Sequence, residues 1–411
     1  MALQQKIEKL SNIEKFEPKN WDHLVLYFND FKKEFEAQKI KIVTVAGTNG
    51  KGQTSIFLQK LFLSKNKKRK TMMWTSPHLI NINERFRFND CDIPENELET
   101  SLEVYLEKYP NNNIKLSFYE IAFWIFCHQV VEKKPDILIL EVGLGGRLDA
   151  VNLFDADVVV LTSIGRDHIN LLGNNYRSIL KEKLGVLRKK SSLVYSVKTK
   201  YLLNLVLKTC KKMGVENFFF VDPYDLKFKN FIDRNFEMAK MAFSLCTNEF
   251  ENEEIKDLTV KDFLSCGRGT TLNYLGRSVT IFNSHNLDGH RELGELLKLK
   301  NNSVLLLFFP DRTERELRQI VQLYQKTSFS TIFLCGIEDT HKVKNVSEIK
   351  SMFPDRNDIY NFISIKNCIN ELKIGVGREI VVTGSNYVIG KIINNMEELG
   401  ENTNLPNSTS Y

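Results

Sequence analysis

The chain has 411 residues, 42% hydrophobic and 26% charged, a globular composition that excludes a disordered or fibrous protein and suits two or three domains. Its 57 basic and 51 acidic residues leave a net charge of +6. That mild excess fits anionic small molecules better than nucleic acid, which asks for a concentrated basic stripe with interleaved aromatics. The basic run KNKKRK, from Lys65 to Lys70, reads as a solvated helix-to-strand turn.

Short apolar, β-branched runs alternate with helical patterns along nearly the whole chain. Strands are expected at 40–45, 71–75, 137–142, 158–162 and 193–197, and helices at 54–64, 95–109, 118–131, 178–187 and 235–246. Continuous apolar strands alternating with helices predict a parallel sheet buried on both faces. A second series starts near residue 271, with strands at 278–282, 303–309, 331–335 and 379–383 and helices at 288–299, 314–326 and 387–396. The fold class is therefore α/β. We expect an N-terminal domain over 1–266 with a central, mostly parallel sheet, a linker over 267–272 and a smaller Rossmann-like domain over 273–400. A polar, disordered tail is expected over 401–411.

The longest apolar stretch, 118–131, contains Glu120 and His128 and is too short for a membrane span. The N-terminal segment lacks the apolar core of a signal peptide. Seven cysteines lie scattered without a CxxC pair, which excludes a zinc ribbon and points to reduced thiols in the cytoplasm.

The strongest local motif is VTVAGTNGKGQTS, from Val43 to Ser55. A strand runs into glycines and a lysine, and a helix follows. Gly47, Gly50 and Gly52 let backbone amides curl around phosphate oxygens, Lys51 adds a point charge, and the helix N-terminus adds positive dipole. The spacing is not that of the general phosphate loop, because Val45 stands where its first glycine belongs. Gln53 occupies the position where Ser or Thr helps bind magnesium; Thr54 and Ser55 follow at other offsets.

Together with later segments, AGTNGKG resembles the folylpolyglutamate synthase and dihydrofolate synthase family of Mur-type ATP-dependent amide ligases. The similar segments occur in the family's order: TSPHL from Thr75 with NER from Asn83, EVGLGGRLDA from Glu141 with Asn152, and TSI from Thr162 with Asp167-His168 and LGN from Leu172. KEKLGV from Lys181 closes the set. They cover about residues 40 to 190. The GGRLDA variant resembles the bacterial bifunctional type.

The resemblance implies a P-loop Mur-ligase-like fold and amide formation from ATP, L-glutamate and dihydropteroate or a reduced folate, by a monomer. It implies ATP binding by Gly47, Thr48, Asn49, Gly50, Lys51, Gly52, Gln53, Thr54, Asn235, Arg268 and His285. Two magnesium ions would be held by Ser76, Glu141, His168 and Lys183, the last as a CO₂-derived carbamate. Lys51, Glu141, His168 and Lys183 would be catalytic, and Tyr119, Asp149 and Ser385 would contact substrate. A carboxylate such as Glu141 at a strand's carboxyl edge suits magnesium, which takes hard oxygen ligands.

The C-terminal half departs from the family pattern. Cys266 replaces a proline before Gly267-Arg268, and Phe282 stands where the family has an aspartate ahead of Ser284-His285-Asn286. Val382-Thr383-Gly384-Ser385 with Gly390 keeps the closing pattern. Two other readings remain beside the ligase: a nucleotide- or folate-binding derivative that no longer ligates, and a Mur-type ligase for another acid and amino acid.

Overall fold

The computed structural model describes residues 2–11, 21–66, 68–110, 116–249, 260, 268–274, 277–297, 303–309, 312–326, 329, 331–336, 345–353, 359–362, 364–371 and 379–398. The chain divides into two compact units, Met1–Phe263 and Leu264–Tyr411. The expected tail over 401–411 lies outside the described residues.

Unit 1 begins with helices α1 (Leu3–Leu10) and α2 (Trp21–Ala37) and then strand β1 (Lys41–Ala46). There follow α3 (Lys51–Lys65), β2 (Thr71–Trp74), β3 (Phe86–Phe88), β4 (Cys91–Asp92), α4 (Glu95–Lys108), α5 (Phe118–Lys133) and β5 (Ile137–Glu141). The unit continues through β6 (Val158–Leu161), α6 (Ile169–Leu172), α7 (Tyr176–Lys183), β7 (Ser192–Tyr195), α8 (Lys200–Met213), β8 (Phe218–Phe220) and α9 (Phe231–Thr247). The eight strands form one sheet in the order β4-β3-β2-β5-β1-β6-β7-β8. It is parallel from β2 to β8, while β3 and β4 close one edge as antiparallel strands.

The central strands are apolar on both faces because helices cover both. α5 is apolar nearly all round, and Ile121–Cys127 are all buried; a helix of that kind belongs inside a layer. Ser117 caps it, accepting from the Glu120 N–H while Glu120 accepts from the Ser117 N–H at 2.7 Å. On the α3 side, Phe57 meets Phe236 of α9 at 5.2 Å between ring centroids and Phe62 meets Phe243 at 5.0 Å. Each ring buried in this way contributes about 2–3 kcal/mol.

Unit 2 holds β9 (Arg268–Tyr274), β10 (Arg277–Phe282), α10 (Leu287–Leu297), β11 (Ser303–Phe308) and α11 (Glu314–Gln325). It ends with β12 (Thr331–Cys335), α12 (Val346–Ser351), β13 (Ile359–Phe362), α13 (Ile365–Glu371), β14 (Glu379–Gly384) and α14 (Asn386–Glu398). Its sheet order is β13-β12-β11-β14-β10-β9, parallel except for β9. Residues 268–272, expected to be linker, are instead part of β9, which pairs antiparallel with β10 from Arg268 to Tyr274. Gly269 reads as a breaker in sequence, but an edge strand bonded on one side tolerates it, and the β-branched and aromatic residues after it favour the strand.

Candidate active site

The carboxyl ends of β1, β2, β5 and β6 meet at one edge of the unit 1 sheet. β1 delivers the phosphate loop. Gly47 has φ +147°, and a Cβ there would stand 2.0 Å from Thr162 Oγ1, so only glycine fits. The loop is tied to the segment after β6: Thr162 Oγ1 donates to the Asn49 carbonyl at 2.7 Å, and the Thr48 N–H donates to the Ser163 carbonyl at 2.9 Å. The Thr48 hydroxyl also donates to the Gly165 carbonyl at 3.2 Å. Gly50, left-handed at φ +85°, caps α3, which starts at Lys51 rather than at residue 54. Lys51, Gly52 and Gln53 thus form the first turn, whose amides have no acceptor within the helix. Lys51 Nζ folds back to the Thr48 carbonyl at 3.2 Å.

The hydroxyls of Thr54 and Ser55 donate to the Gly50 and Lys51 carbonyls at 2.9 and 3.1 Å, one turn back along the helix. Gln53 is buried, and its Oε1 accepts from Nδ2 of the fully buried Asn235 at 2.9 Å. The residue that departs from the phosphate-loop pattern therefore couples α3 to α9. Asn235 is the fifth residue of α9, which begins earlier than expected because Asn230 caps it through the Ile232 and Asp233 amides.

Glu141 ends β5 and is 3% exposed. Its Oε2 accepts from the Thr75 hydroxyl, and from the Ser76 N–H at 3.1 Å. The pairing of β2 with β5 brings these residues together, with Trp74 opposite Leu140. Arg85 lies buried in reach of Glu141, and burial draws its pKa down to about 10. Its Nε donates to His78 Nδ1 at 2.8 Å. Burial, with the Arg85 charge adding to it, holds His78 down at about 4, so that ring is neutral.

Lys183, the last residue of α7, is 5% exposed and donates to the Gly47 carbonyl at 2.7 Å. Burial and the Lys51 charge pull its pKa down to about 7, against Asp167 and Asp149, which raise it. The 143–151 loop packs on this helix end. A Cβ at Gly146, φ +154°, would stand 2.9 Å from the Glu182 carbonyl oxygen, and the Arg147 N–H donates to that oxygen at 2.8 Å.

Asp149 fastens the loop from inside: its carboxylate accepts from the Leu144 N–H at 2.8 Å, the Val151 N–H at 3.1 Å and the Tyr119 hydroxyl at 3.0 Å. Burial raises its pKa to about 6 against these bonds. The Tyr119 hydroxyl accepts in turn from Trp74 Nε1 at 3.1 Å. Tyr119 and Asp149 are thus one polar network under the loop. His168 sits beyond β6 in a left-handed conformation (φ +50°), half exposed, with Nε2 3.9 Å from Oδ2 of the buried Asp167.

Comparison with known proteins follows from this geometry. The Mur ligase middle domain family matches residues 45–255, more than half of the chain. The chain belongs to the Mur ligase family. Among its relatives is the dihydrofolate synthase/folylpolyglutamate synthase of Buchnera aphidicola subsp. Schizaphis graminum, 27% identical over 93% of this chain and 94% of that protein. The fold is that of E. coli FolC in complex with DHPP and ADP (TM-score 0.79, 20% identity, covering 97% of each chain). It is also that of the Yersinia pestis bifunctional folylpolyglutamate synthase/dihydrofolate synthase complexed with AMPPNP and Mn ion (TM-score 0.79, 19% identity, 97% of this chain and 98% of that one).

In this Mur ligase family member, the expected residues of unit 2 belong to a second strand-end cluster. His285 follows β10, with Nδ1 3.3 Å from the Asn283 carbonyl oxygen. Ser385 follows β14 and is buried. Phe282 is buried at the end of β10, opposite Thr383. The Arg268 side chain lies outside the described residues.

Among the described residues, no three His, Cys, Asp or Glu side chains gather as a metal site. Magnesium asks for no such cluster: it takes one or two carboxylates, of which Glu141 at the end of β5 is one, and fills its other positions with water and phosphate oxygens. Thr75, Thr162 and Asp167 also build the site without having been assigned a role from sequence. Thr75 and Thr162 come directly after β2 and β6, and Asp167 lies in the segment between β6 and α6. Among the described residues no helix is long and apolar enough to cross a membrane.

Proposed function

We propose that this chain is an ATP-dependent ligase adding L-glutamate to dihydropteroate, to the γ-carboxyl of reduced folates, or to both. The observation that carries this reading is the convergence of a phosphate loop, Glu141 and the buried Lys183 on one edge of one sheet. The near-full-length relative supports the substrate class.

The acid's carboxylate oxygen attacks the γ-phosphorus of ATP, and ADP leaves. The amine of L-glutamate then attacks the acyl carbon, phosphate leaves, and the amine gives up a proton. The loop amides and Lys51 hold the phosphates and counter the charge on the transferring group. Ser76, Glu141 and His168 would hold magnesium, which when bound would spread charge over the phosphoryl oxygens. Tyr119 and Asp149 shape the wall that receives the acid, and Asn235, Arg268, His285 and Ser385 serve the nucleotide and amino-acid side.

Lys183 acts as a carbamate. The ammonium first gives up a proton; the neutral amine then attacks CO₂, an N–C bond forms and a second proton leaves, so a buried cation becomes an anion that would join the ligands of a bound metal. A pKa near 7 supports this, because an amine at its ordinary value would be almost wholly protonated.

Purified protein given ATP, magnesium, L-glutamate and either dihydropteroate or tetrahydrofolate should release phosphate above the control lacking the acid. No excess with either acid would defeat the ligase reading. It would favour a nucleotide- or folate-binding protein that does not ligate, the reading to which the buried Phe282 points. A rate unchanged by bicarbonate removal and by Lys183→Arg would remove the carbamate alone.

A further inference from the structure

The opposite edge of the unit 1 sheet, where β1 and β5 begin, opens into a pocket of about 650 Å³. β1 has six residues, so this edge is roughly 17 Å from the phosphate loop. Lys39, Lys41, Lys68, Arg69 and Lys134 line the pocket, with Asp136 as the only acid among the lining residues. Asp136 is already engaged, its Oδ2 accepting from the Lys70 N–H at 2.8 Å. Lys41 pairs with Asp157 at 3.0 Å. Among the described residues, Lys39, Lys68, Arg69 and Lys134 have no ion-pair partner.

Three features make this more than a scatter of surface lysines. Arg69 holds its guanidinium 5.6 Å from the centre of the Phe62 ring, and its Nη1 is buried without a hydrogen-bond partner. Lys39 and Lys134 both adopt left-handed backbone, φ +55° and +48°, where glycine would be the easier residue. Cys246, on the pocket wall, lies in the fields of Lys41 and Arg69 and in the stronger field of Asp157, the partner of Lys41, so cations from different segments converge there with one acid beside them.

The ends of α2, α3, α5 and α9 also point here and bring partial negative charge, about half a unit each. Part of the basic excess answers that field. Yet the carbonyls closing α2 are taken by the backbone amides of Gln38, Lys39 and Ile40 at 2.9–3.2 Å, which leaves the lysine heads unused by them.

We propose that this pocket is a second anion site that takes a small multivalent phosphate, of di- or triphosphate size. The volume suits a small molecule. Among the described residues that line it none is aromatic, which disfavours a nucleic-acid strand that needs stacking platforms. Arg69 and the lysines supply the positive charge.

The test is calorimetric titration of inorganic tripolyphosphate into the full chain with its nucleotide site saturated by ADP and magnesium. We expect one further binding event. Arg69→Gln, Lys39→Gly and Lys134→Gly should each weaken it about tenfold. The glycine variants fit their backbone, so their melting temperature should hold or rise while binding falls, which separates lost charge from lost fold. AMP should bind far more weakly than tripolyphosphate. No further event, an event indifferent to all three variants, or one abolished by physiological salt (an adventitious ion only) would overturn the proposal, as would binding of an oligonucleotide or acidic peptide without tripolyphosphate.

Discussion

Two residues set the terms at the phosphate loop. At Gly47 a side chain has no room: the φ is +147°, and the nearest atom belongs to Thr162, which itself closes the loop on Asn49. Gly47→Ala should cost about 2–3 kcal/mol and abolish nucleotide binding, read by chemical denaturation and by ADP titration. Wild-type affinity in that variant would mean the loop is not the phosphate site. Lys183 carries the opposite tension, a cationic group held where charge is disfavoured. Its folded pKa, about 7, lies below that of a free lysine, so below pH 7 both folded and unfolded chains are protonated and the folded one bears the full cost of burial. Between pH 7 and about 10.5 the unfolded chain binds the extra proton, and stability rises with pH. In bicarbonate-free buffer, Lys183→Met should therefore be more stable than wild type at pH 6, with the gap closing toward pH 10, while ligase activity is lost. A gap independent of pH would show that the amine is not depressed.

The loop after β5 and the pair α3–α9 are elements whose roles depend on partners far away in sequence. Asp149 gathers Leu144, Val151 and Tyr119 around one carboxylate and so fixes a loop that packs on the Lys183 helix. In Asp149→Asn one acceptor becomes a donor facing an N–H. We expect a loss of about 1–3 kcal/mol and a KM effect at least as large as the kcat effect, measured by denaturation and by steady-state phosphate release. A variant as stable and active as wild type would show that the loop holds without its clamp. These contacts explain what was legible. The motif residues could be read in chain order, but the bond from Gln53 to Asn235 spans 182 positions and that from Lys183 to Gly47 spans 136, and no local pattern records them. Strands told a similar story. β1, β5, β6 and β14 are buried on both faces and announce themselves as short runs rich in apolar, β-branched residues. β4 is exposed and β13 partly exposed at sheet edges, and both lack that signature, as does β9 with its early glycine; β8 is an apolar run of only three residues.

At the scale of the whole chain, the two units each have their own sheet and buried interior, so each should melt by its own cooperative transition. Ligands and substitutions can then be assigned to one unit or the other. ADP with magnesium, at about 100 times its dissociation constant, should stabilise the unit that carries the phosphate loop by about 2.7 kcal/mol. Phe282→Asp addresses the second unit. It places a carboxylate at a position 5% exposed, between strands, in register with Thr383 of β14 and Arg268 of β9. Such a charge costs several kcal/mol or titrates to its neutral form. Scanning calorimetry of this variant should find the second-unit transition lowered by several degrees, less so at pH 4 where the acid is protonated, and the ADP-responsive transition unmoved. If instead the variant keeps its melting profile and gains ligase activity, the strand end opens toward the substrates, and the family's acid at that position serves catalysis that Phe282 has surrendered. A single transition shifted equally by ADP and by Phe282→Asp would mean that the two cores fold as one.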